Sequence, residues 1–214
     1  METPGYFVTG SDTDVGKTVV ASWLMLALDG EYWKPVQAGL DGETDEAAVR
    51  RLTGLPAERF HGSAYRLKAA LSPHEAATRE GIAIEMARFK LPPHRRPLVV
   101  EGAGGLLVPL NDRDLVIDLI AKLGLPAVLV ARSTSGTINH TLLSLEALRA
   151  RRIAVAGVVI DGPANAANRE AIATYGNVPV IAELPLLDPL DRGQIALAAA
   201  RIRPKLPAMA SPVP

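Results

Sequence analysis

The sequence predicts an α/β fold, a three-layer sandwich with a mostly parallel central sheet. Three observations predict it. Short apolar runs recur at 6–9, 32–36, 98–100, 127–131 and 153–160, and several are apolar throughout, as strands buried on both faces are. Helical patterns follow these runs, and strand–helix alternation builds right-handed βαβ units. Gly, Pro and capping residues fall between the two kinds of segment, where stop and start signals belong.

Composition narrows the class. The chain has 214 residues, 48% hydrophobic and 21% charged, the profile of a globular domain rather than a disordered one. That length favours one domain, residues 1–200, with a tail over 201–214 that holds Pro204, Pro207, Pro212 and Pro214 and is expected to fray. Lys plus Arg and Asp plus Glu number 23 each, so there is no electrostatic case for nucleic-acid binding. The absence of cysteine excludes thiol catalysis and Cys-ligated metal. No apolar run approaches the ~20 residues that cross a bilayer, and no secretory leader is read at the start. The expectation is a cytoplasmic protein without membrane or nucleic-acid partners.

The elements follow in order. Residues 6–9 read as the first strand, and Gly10-Ser11-Asp12-Thr13-Asp14-Val15-Gly16-Lys17-Thr18 fits G-x-x-x-x-G-K-[ST] between that strand and a helix over 19–28, the context a phosphate loop requires. Backbone N–H groups there curl around an anion and the helix N-terminus adds partial positive charge. Lys17 reaches the β and γ phosphates, and the Thr18 hydroxyl can sit on Mg²⁺. Asp12 and Asp14 put two carboxylates beside phosphate, which calls for a balancing cation or amine: an amine-bearing co-substrate, a second role around a metal, or plain solvated loop charges. In partition-type ATPases a lysine stands five positions before the loop lysine; Asp12 stands there in this chain, which disfavours a nucleotide switch of that group.

Residues 32–36 read as a second strand. Lys34, before the Pro35 and Gly39 turn, points either into the crevice at the strand's carboxyl end, where it would stabilise developing charge, or to solvent. Thr44-Asp45 opens a helix, with Asp45 either a magnesium carboxylate or only an N-cap. Ser72-Pro73-His74-Glu75 is a capping-box pattern closed by Gly81. The run at 98–100 ends in Glu101, where ligands bind in α/β proteins, and one or two carboxylates are what Mg²⁺ takes beside phosphate. Gly102 to Gly105 lets backbone approach a ligand. Helices are expected over 115–123, ended by Gly124, and over 138–150, ended by basic residues. Those basic residues, Arg149 to Arg152, and the group around Arg88, Lys90, His94, Arg95 and Arg96 read as solvated surface. His140 reads as packing, and His61, His74 and His94 lack metal-ligand spacing.

These motifs resemble the dethiobiotin synthetase family, ATP-dependent carboxylases of biotin biosynthesis. The carrying segments are residues 7–18, Lys34-Pro35-Val36-Gln37-Ala38-Gly39, Ser72-Pro73-His74, Val100-Glu101-Gly102-Ala103-Gly104-Gly105 and Gly136-Thr137-Ile138-Asn139-His140. The resemblance covers residues 5–190. It implies a P-loop NTPase-type fold, a homodimer, and the joining of 7,8-diaminononanoate to CO₂ with ATP and Mg²⁺, through a carbamate and a carbamic–phosphoric anhydride. It implies that Lys17 and Lys34 hold phosphates and carbamate, and that Thr18, Asp45 and Glu101 bind Mg²⁺ with Asp12 in or behind that shell. Thr13 and Asp14 would lie near the diamine. Asp14, Val15, Gly16, Lys17, Thr18 and Val19 would wrap the nucleotide, with Asp161, Pro185, Leu186 and Leu187 at its base. Ala38 would face the substrate, and Gly136, Thr137, Ile138 and Asn139 would receive its carboxylate tail, reaching across the dimer.

Two positions depart from the family pattern. Ala38 stands where some members carry a hydroxyl. Asp161 stands where an Asn often reads adenine, and a carboxylate only accepts hydrogen bonds, so relaxed base choice, extending to GTP or CTP, is expected. Ser133-Thr134-Ser135 is also more polar than expected before the tail-binding helix. A related corrin-type amide synthetase would need a glutaminase domain and its cysteine, and the chain has no cysteine.

Overall fold

The computed structural model describes residues 5–206. Nine strands, β1 (Gly5–Gly10), β2 (Glu31–Trp33), β3 (Val36–Ala38), β4 (Phe60–His61), β5 (Tyr65–Leu67), β6 (Leu98–Gly105), β7 (Ala127–Arg132), β8 (Val155–Asp161) and β9 (Val180–Leu184), alternate with seven helices. The helices are α1 (Lys17–Ala27), α2 (Asp45–Thr53), α3 (Pro73–Arg79), α4 (Val116–Leu123), α5 (Thr137–Ala150), α6 (Ala166–Gly176) and α7 (Arg192–Arg201).

Seven strands form one sheet in the order β4-β2-β6-β1-β7-β8-β9, parallel at every pairing. Side chains alternate across it, as strand geometry demands. Tyr6, Val8, Val99, Val128 and Val130 pack with Val20, Trp23 and Leu24 of α1 and with Ala198 and Ala199 of α7. Phe7, Leu98 and Val100 turn the other way onto Ile117 and Ile120 of α4. Leu129, Ala131, Val158 and Ile160 meet Leu145 of α5 and Ile172 of α6 on that same side. The sandwich expected from the alternation is therefore present, and its apolar runs are buried on both faces.

Several boundaries differ from expectation. The strand over 32–36 is two strands. Pro35 has no N–H to donate and breaks the ladder; after Trp33 the chain leaves the main sheet, and β3 pairs with β5 in a separate parallel pair. The run at 98–100 extends through the glycines to Gly105, because pairing with β1 continues to Gly10↔Gly105 and overrides the weak strand propensity of glycine. β8 begins at Val155 rather than residue 153. The capping box at Ser72 does not form: Ser72 is the N-cap with Pro73 behind it, but its side chain makes no cap bond, and Glu75 is drawn to Arg79 at 2.7 Å. At α2 the cap is Thr44, whose side chain accepts from Ala47 N, so Asp45 is the first helical residue.

The basic groups are engaged on the surface. Arg96 and Arg59 pair with Asp29, and Arg149 donates to the carbonyls of Gly176 and Asn177. No helix among the described residues is long and apolar enough to cross a membrane. The tail reading over 201–214 falls partly on α7, which ends at Arg201; residues 207–214 lie outside the described residues.

Candidate active site

Parallel pairing places the carboxyl ends of the strands on one edge of the sheet. β1 sits between β6 and β7, so the loop after β1 opens where chain connections diverge to either side, the crevice in which such sheets bind ligands. Gly10 and Gly16 shape that loop. A Cβ on Gly10 would lie 2.5 Å from the Asp12 carbonyl and 2.7 Å from Val15. Gly16 has φ +91° and is the N-cap of α1 without any side-chain cap bond. The first N–H groups of α1 are thus left to a ligand. Lys17 folds back over the loop, its Nζ donating to the Asp12 carbonyl at 3.0 Å. Burial and then the nearby Lys34 ammonium hold the Lys17 pKa below its usual value, against the pull of Glu101, Asp45 and Asp14.

Beside the loop four side chains converge. The Thr18 hydroxyl lies 3.0 Å from Glu101 Oε1 and 3.2 Å from Asp45 Oδ1. Lys34 Nζ is 2.7 Å from Asp45 Oδ2 and 3.1 Å from Glu101 Oε1, and it donates to the Gly102 carbonyl at 3.0 Å. Tyr32 donates to Glu101 Oε2 at 2.9 Å. Gln37 accepts from the Asp45 backbone N–H at 3.1 Å and so sets where α2 begins. Burial lowers the Lys34 pKa, but the attraction of Glu101 and Asp45 outweighs it and the net direction is up. Burial raises the Asp45 carboxyl, yet Lys34 and its hydrogen bond outweigh that, and the net direction is down. The directions at Lys34 and Asp45 both favour the charged form of that pair.

Thr18, Lys34, Asp45 and Glu101 line a cleft of about 570 Å³. Thr13, Asp14, Gly16, Lys17, Thr18, Val19, Lys34, Ala38, Asp45 and Glu101, each expected at the site, all border it. Val15 does not; it is 1% exposed and holds the loop to the core. Asp161 ends β8 on the far flank of Gly16, so close that a Cβ on Gly16 would collide with its carboxylate. Burial pushes the Asp161 carboxyl up to about 6. Register pairs Asp161 with Leu184, so Pro185, Leu186 and Leu187 leave the sheet beside it, with Leu186 exposed. Gly136 to Asn139 open α5 and lie outside the large cleft.

The structure places Asp12 apart from the Thr18, Asp45 and Glu101 cluster. Its carboxylate pairs with Arg132 at 3.1 Å and its Oδ1 accepts from Thr13 N at 2.7 Å. Sequence reasoning missed that Arg132 lies against the phosphate loop. The signal was present: it is the charged residue that ends a buried apolar strand, the same pattern that singled out Glu101. Among the described residues no group of three or more His, Cys, Asp and Glu could by itself hold a metal. The two carboxylates and one hydroxyl beside the phosphate loop are hard oxygen donors that would nevertheless suit Mg²⁺, a cation bound through one or two carboxylates beside phosphate.

The loop, the parallel sheet and the acidic cluster define a P-loop nucleotide-binding protein of the NTPase-type α/β sandwich. Solved structures share the fold: a ParA family ATPase from Chlorobium tepidum TLS, at TM-score 0.55 and 10% identity over 93% of this chain and 98% of that one, and the cell-division ATPase MinD of Pyrococcus furiosus, at TM-score 0.51 and 15% identity over 96% and 92%. A family model described as an AAA domain matches residues 4–194. The ATP-dependent dethiobiotin synthetases BioD of Paramagnetospirillum magneticum and of Rhodopseudomonas palustris strain BisA53 are each 53% identical, over 90% and 92% of this chain and 93% and 92% of theirs. The biotin biosynthesis bifunctional protein BioCD of Bordetella avium is 54% identical over 90% of this chain, which spans 42% of that protein. The chain belongs to the ATP-dependent dethiobiotin synthetase family, a family of ligases, as the resemblance of its motifs implied.

Proposed function

We propose that the protein joins 7,8-diaminononanoate and CO₂ with ATP to give dethiobiotin, ADP and phosphate. The observation that carries this reading is the convergence of Lys17, Thr18, Lys34, Asp45 and Glu101 on one cleft beside the phosphate loop, two cations and two carboxylates around the space a triphosphate and a CO₂-derived anion would share. One substrate amine adds to CO₂ and loses a proton to form the carbamate. A carbamate oxygen attacks the γ-phosphorus and ADP leaves. The second amine attacks the carbonyl carbon of the mixed anhydride, closes the ureido ring and expels phosphate.

The chain's own groups position and stabilise charge in these steps, which is most of what phosphoryl transfer needs. Lys17 and the N–H groups of Asp14 to Val19 cradle the triphosphate. Lys34 holds the carbamate, and Thr13 and Asp14 face the diamine. Thr18, Asp45 and Glu101 would hold Mg²⁺, which supplies charge neutralisation on the phosphates. Asp12, tied to Arg132, acts behind that shell. Ala38 offers only backbone to the substrate. Asp161 and Pro185 to Leu187 border the base, and the acceptor-only carboxylate supports relaxed base choice. The protein works in the cytoplasm as a homodimer, with the substrate's carboxylate tail on Gly136 to Asn139 of the partner subunit.

The test is direct. Purified protein is mixed with diaminononanoate, bicarbonate, Mg²⁺ and ATP, and dethiobiotin is sought by mass spectrometry. Product that depends on every component is expected. Parallel mixtures with CTP, GTP and UTP read the base preference, and a strong preference for ATP would sink relaxed choice. No product with any triphosphate would overturn the reading.

A further inference from the structure

Tyr32 has no part in the reaction proposed above, yet its hydroxyl ends on Glu101. β2 and β6 run parallel with Tyr32 opposite Val99, and Glu101, two residues beyond Val99, shares its face of the sheet. A tyrosine at that register reaches one step along the neighbouring strand, and its hydroxyl donates to Glu101 Oε2 at 2.9 Å. The ring is fixed from behind. Tyr32 is fully buried, its ring packs against Phe60 of β4 with centroids 5.9 Å apart, and Arg50 of α2 covers the Phe60 ring at 4.2 Å.

The oxygens of the two carboxylates are thereby divided. Glu101 Oε1 is turned to the Thr18 hydroxyl at 3.0 Å and to Lys34 at 3.1 Å, while Oε2 is taken by Tyr32. Asp45 Oδ1 meets the same Thr18 hydroxyl at 3.2 Å, while Oδ2 is taken by Lys34 at 2.7 Å. One oxygen of each acid is left on the Thr18 side. The division is firmest at Glu101, because its side chain is buried and a buried carboxylate oxygen that loses its donor seeks another partner. Cations differ in what they accept from such a set. Mg²⁺ demands near-ideal octahedral geometry and is bound through one or two carboxylates beside phosphate and water, whereas Ca²⁺ takes more oxygens and readily takes both from one carboxylate.

We infer that Tyr32 is a positioning residue: by holding Oε2 of Glu101 it leaves that carboxylate one oxygen for the cation, and so makes the site discriminate against Ca²⁺. The inference rests on the proposed magnesium role of Thr18, Asp45 and Glu101. It adds the group that fixes how Glu101 is presented, and it does not depend on which organic substrate the site takes.

The experiment measures affinity for the β,γ-methylene analogue of ATP by calorimetry, with saturating Mg²⁺, with saturating Ca²⁺ and with EDTA. The proteins are the wild type, Tyr32→Phe and Phe60→Leu. The wild type should bind the magnesium complex at least about 10-fold more tightly than the calcium complex. Tyr32→Phe keeps the ring and loses only the hydroxyl. Its preference for Mg²⁺ should fall roughly 10-fold, the lower end of what one hydrogen bond to a charged group supplies, while its affinity in EDTA stays within about 2-fold. Phe60→Leu loosens the packing and keeps the hydroxyl, so its melting midpoint should drop while its preference stays within about 2-fold of the wild type. A wild type without magnesium preference overturns the inference. So does a Tyr32→Phe variant that keeps the preference, however far its midpoint falls, or one that loses affinity equally in all three conditions. Phe60→Leu losing the preference as far as Tyr32→Phe overturns it too, since loosened packing is then the cause. A dethiobiotin assay on the same proteins keeps the two readings apart. Preference lost in Tyr32→Phe, with a wild type that makes no dethiobiotin, supports the inference while the functional reading fails. Preference unchanged in Tyr32→Phe, with a wild type that makes dethiobiotin, overturns the inference alone.

Discussion

Lys34 Nζ lies 3.1 Å from Glu101 Oε1, with the two side chains 4% and 1% exposed. A pair that dry cannot be treated as two independent charges. Removing one partner strands the other in low dielectric, which costs about 3–5 kcal/mol. Lys34→Ala should therefore lower the thermal midpoint by roughly 10 °C and cut turnover at least about 100-fold. The double variant Lys34→Ala with Glu101→Gln should regain much of the midpoint and none of the activity. A single variant as stable as the wild type would mean the pair is solvated and the site wetter than its geometry indicates.

Lys17→Ala should separate activity from stability. Its recorded hydrogen bond is to the Asp12 carbonyl, and burial together with the neighbouring Lys34 already disfavours its charge. Deleting it relieves Lys34 of a like charge while giving up the attraction of Glu101, Asp45 and Asp14, two effects of opposite sign. The expected outcome is a loss of roughly 100- to 1,000-fold in ATP-dependent turnover, with the melting midpoint unchanged or slightly raised. A midpoint that falls as far as in Lys34→Ala would assign Lys17 a structural role instead.

The phosphate loop was legible because its constraints are local. Gly10, Gly16, Lys17 and Thr18 are read within nine residues, and the flanking strand and helix confirm them. Lys34 and Glu101 were legible as charges ending apolar strands, since a parallel sheet sends every such end to one edge. Their burial against each other was not, because it depends on Asp45 arriving on α2, and α2 is set by Gln37 accepting from Asp45 N. The salt bridge of Asp12 to Arg132 spans 120 residues of sequence, beyond any local pattern. The break at Pro35 was written in the sequence, but only the pairing of β3 with β5 shows where the chain goes next. α6 escaped because it buries little apolar surface beyond Ile172, and α7 because two of its three buried residues, Ala198 and Ala199 beside Ile195, are small.

Gly16→Ala should fail for a conformational and a steric reason together. The position has φ +91°, and a Cβ there meets the Asp161 carboxylate. Left-handed backbone costs an L-residue roughly 1–2 kcal/mol, and the collision adds to it. Nucleotide affinity by calorimetry should fall at least about 10-fold, since the loop cannot keep its shape. Adding Asp161→Gly should return the steric part of the lost stability but not the backbone part. Full recovery in that double variant would show that the left-handed turn itself carries no strain.

Asp161 makes the clearest prediction about pH. Burial raises its carboxyl from 3.8 to about 6. The folded protein therefore keeps this proton up to about pH 6, while the unfolded chain gives it up near pH 4. Between those values the folded state binds more protons, so stability falls as pH rises through the window. Above about pH 6 the ionised carboxylate leaves a constant deficit, at most about 3 kcal/mol. Asp161→Asn cannot ionise and should remove that deficit. Its thermal midpoint should exceed that of the wild type at pH 8, the gain should shrink as pH drops below about 6, and it should vanish near pH 4. The same substitution adds a hydrogen-bond donor where the parent has only acceptors, so turnover with ATP relative to CTP and GTP should shift at pH 8 as well. A midpoint difference that stays the same from pH 4 to 8 would show that Asp161 is ionised as freely in the folded protein as in the unfolded chain, and that burial beside Gly16 does not hold its proton.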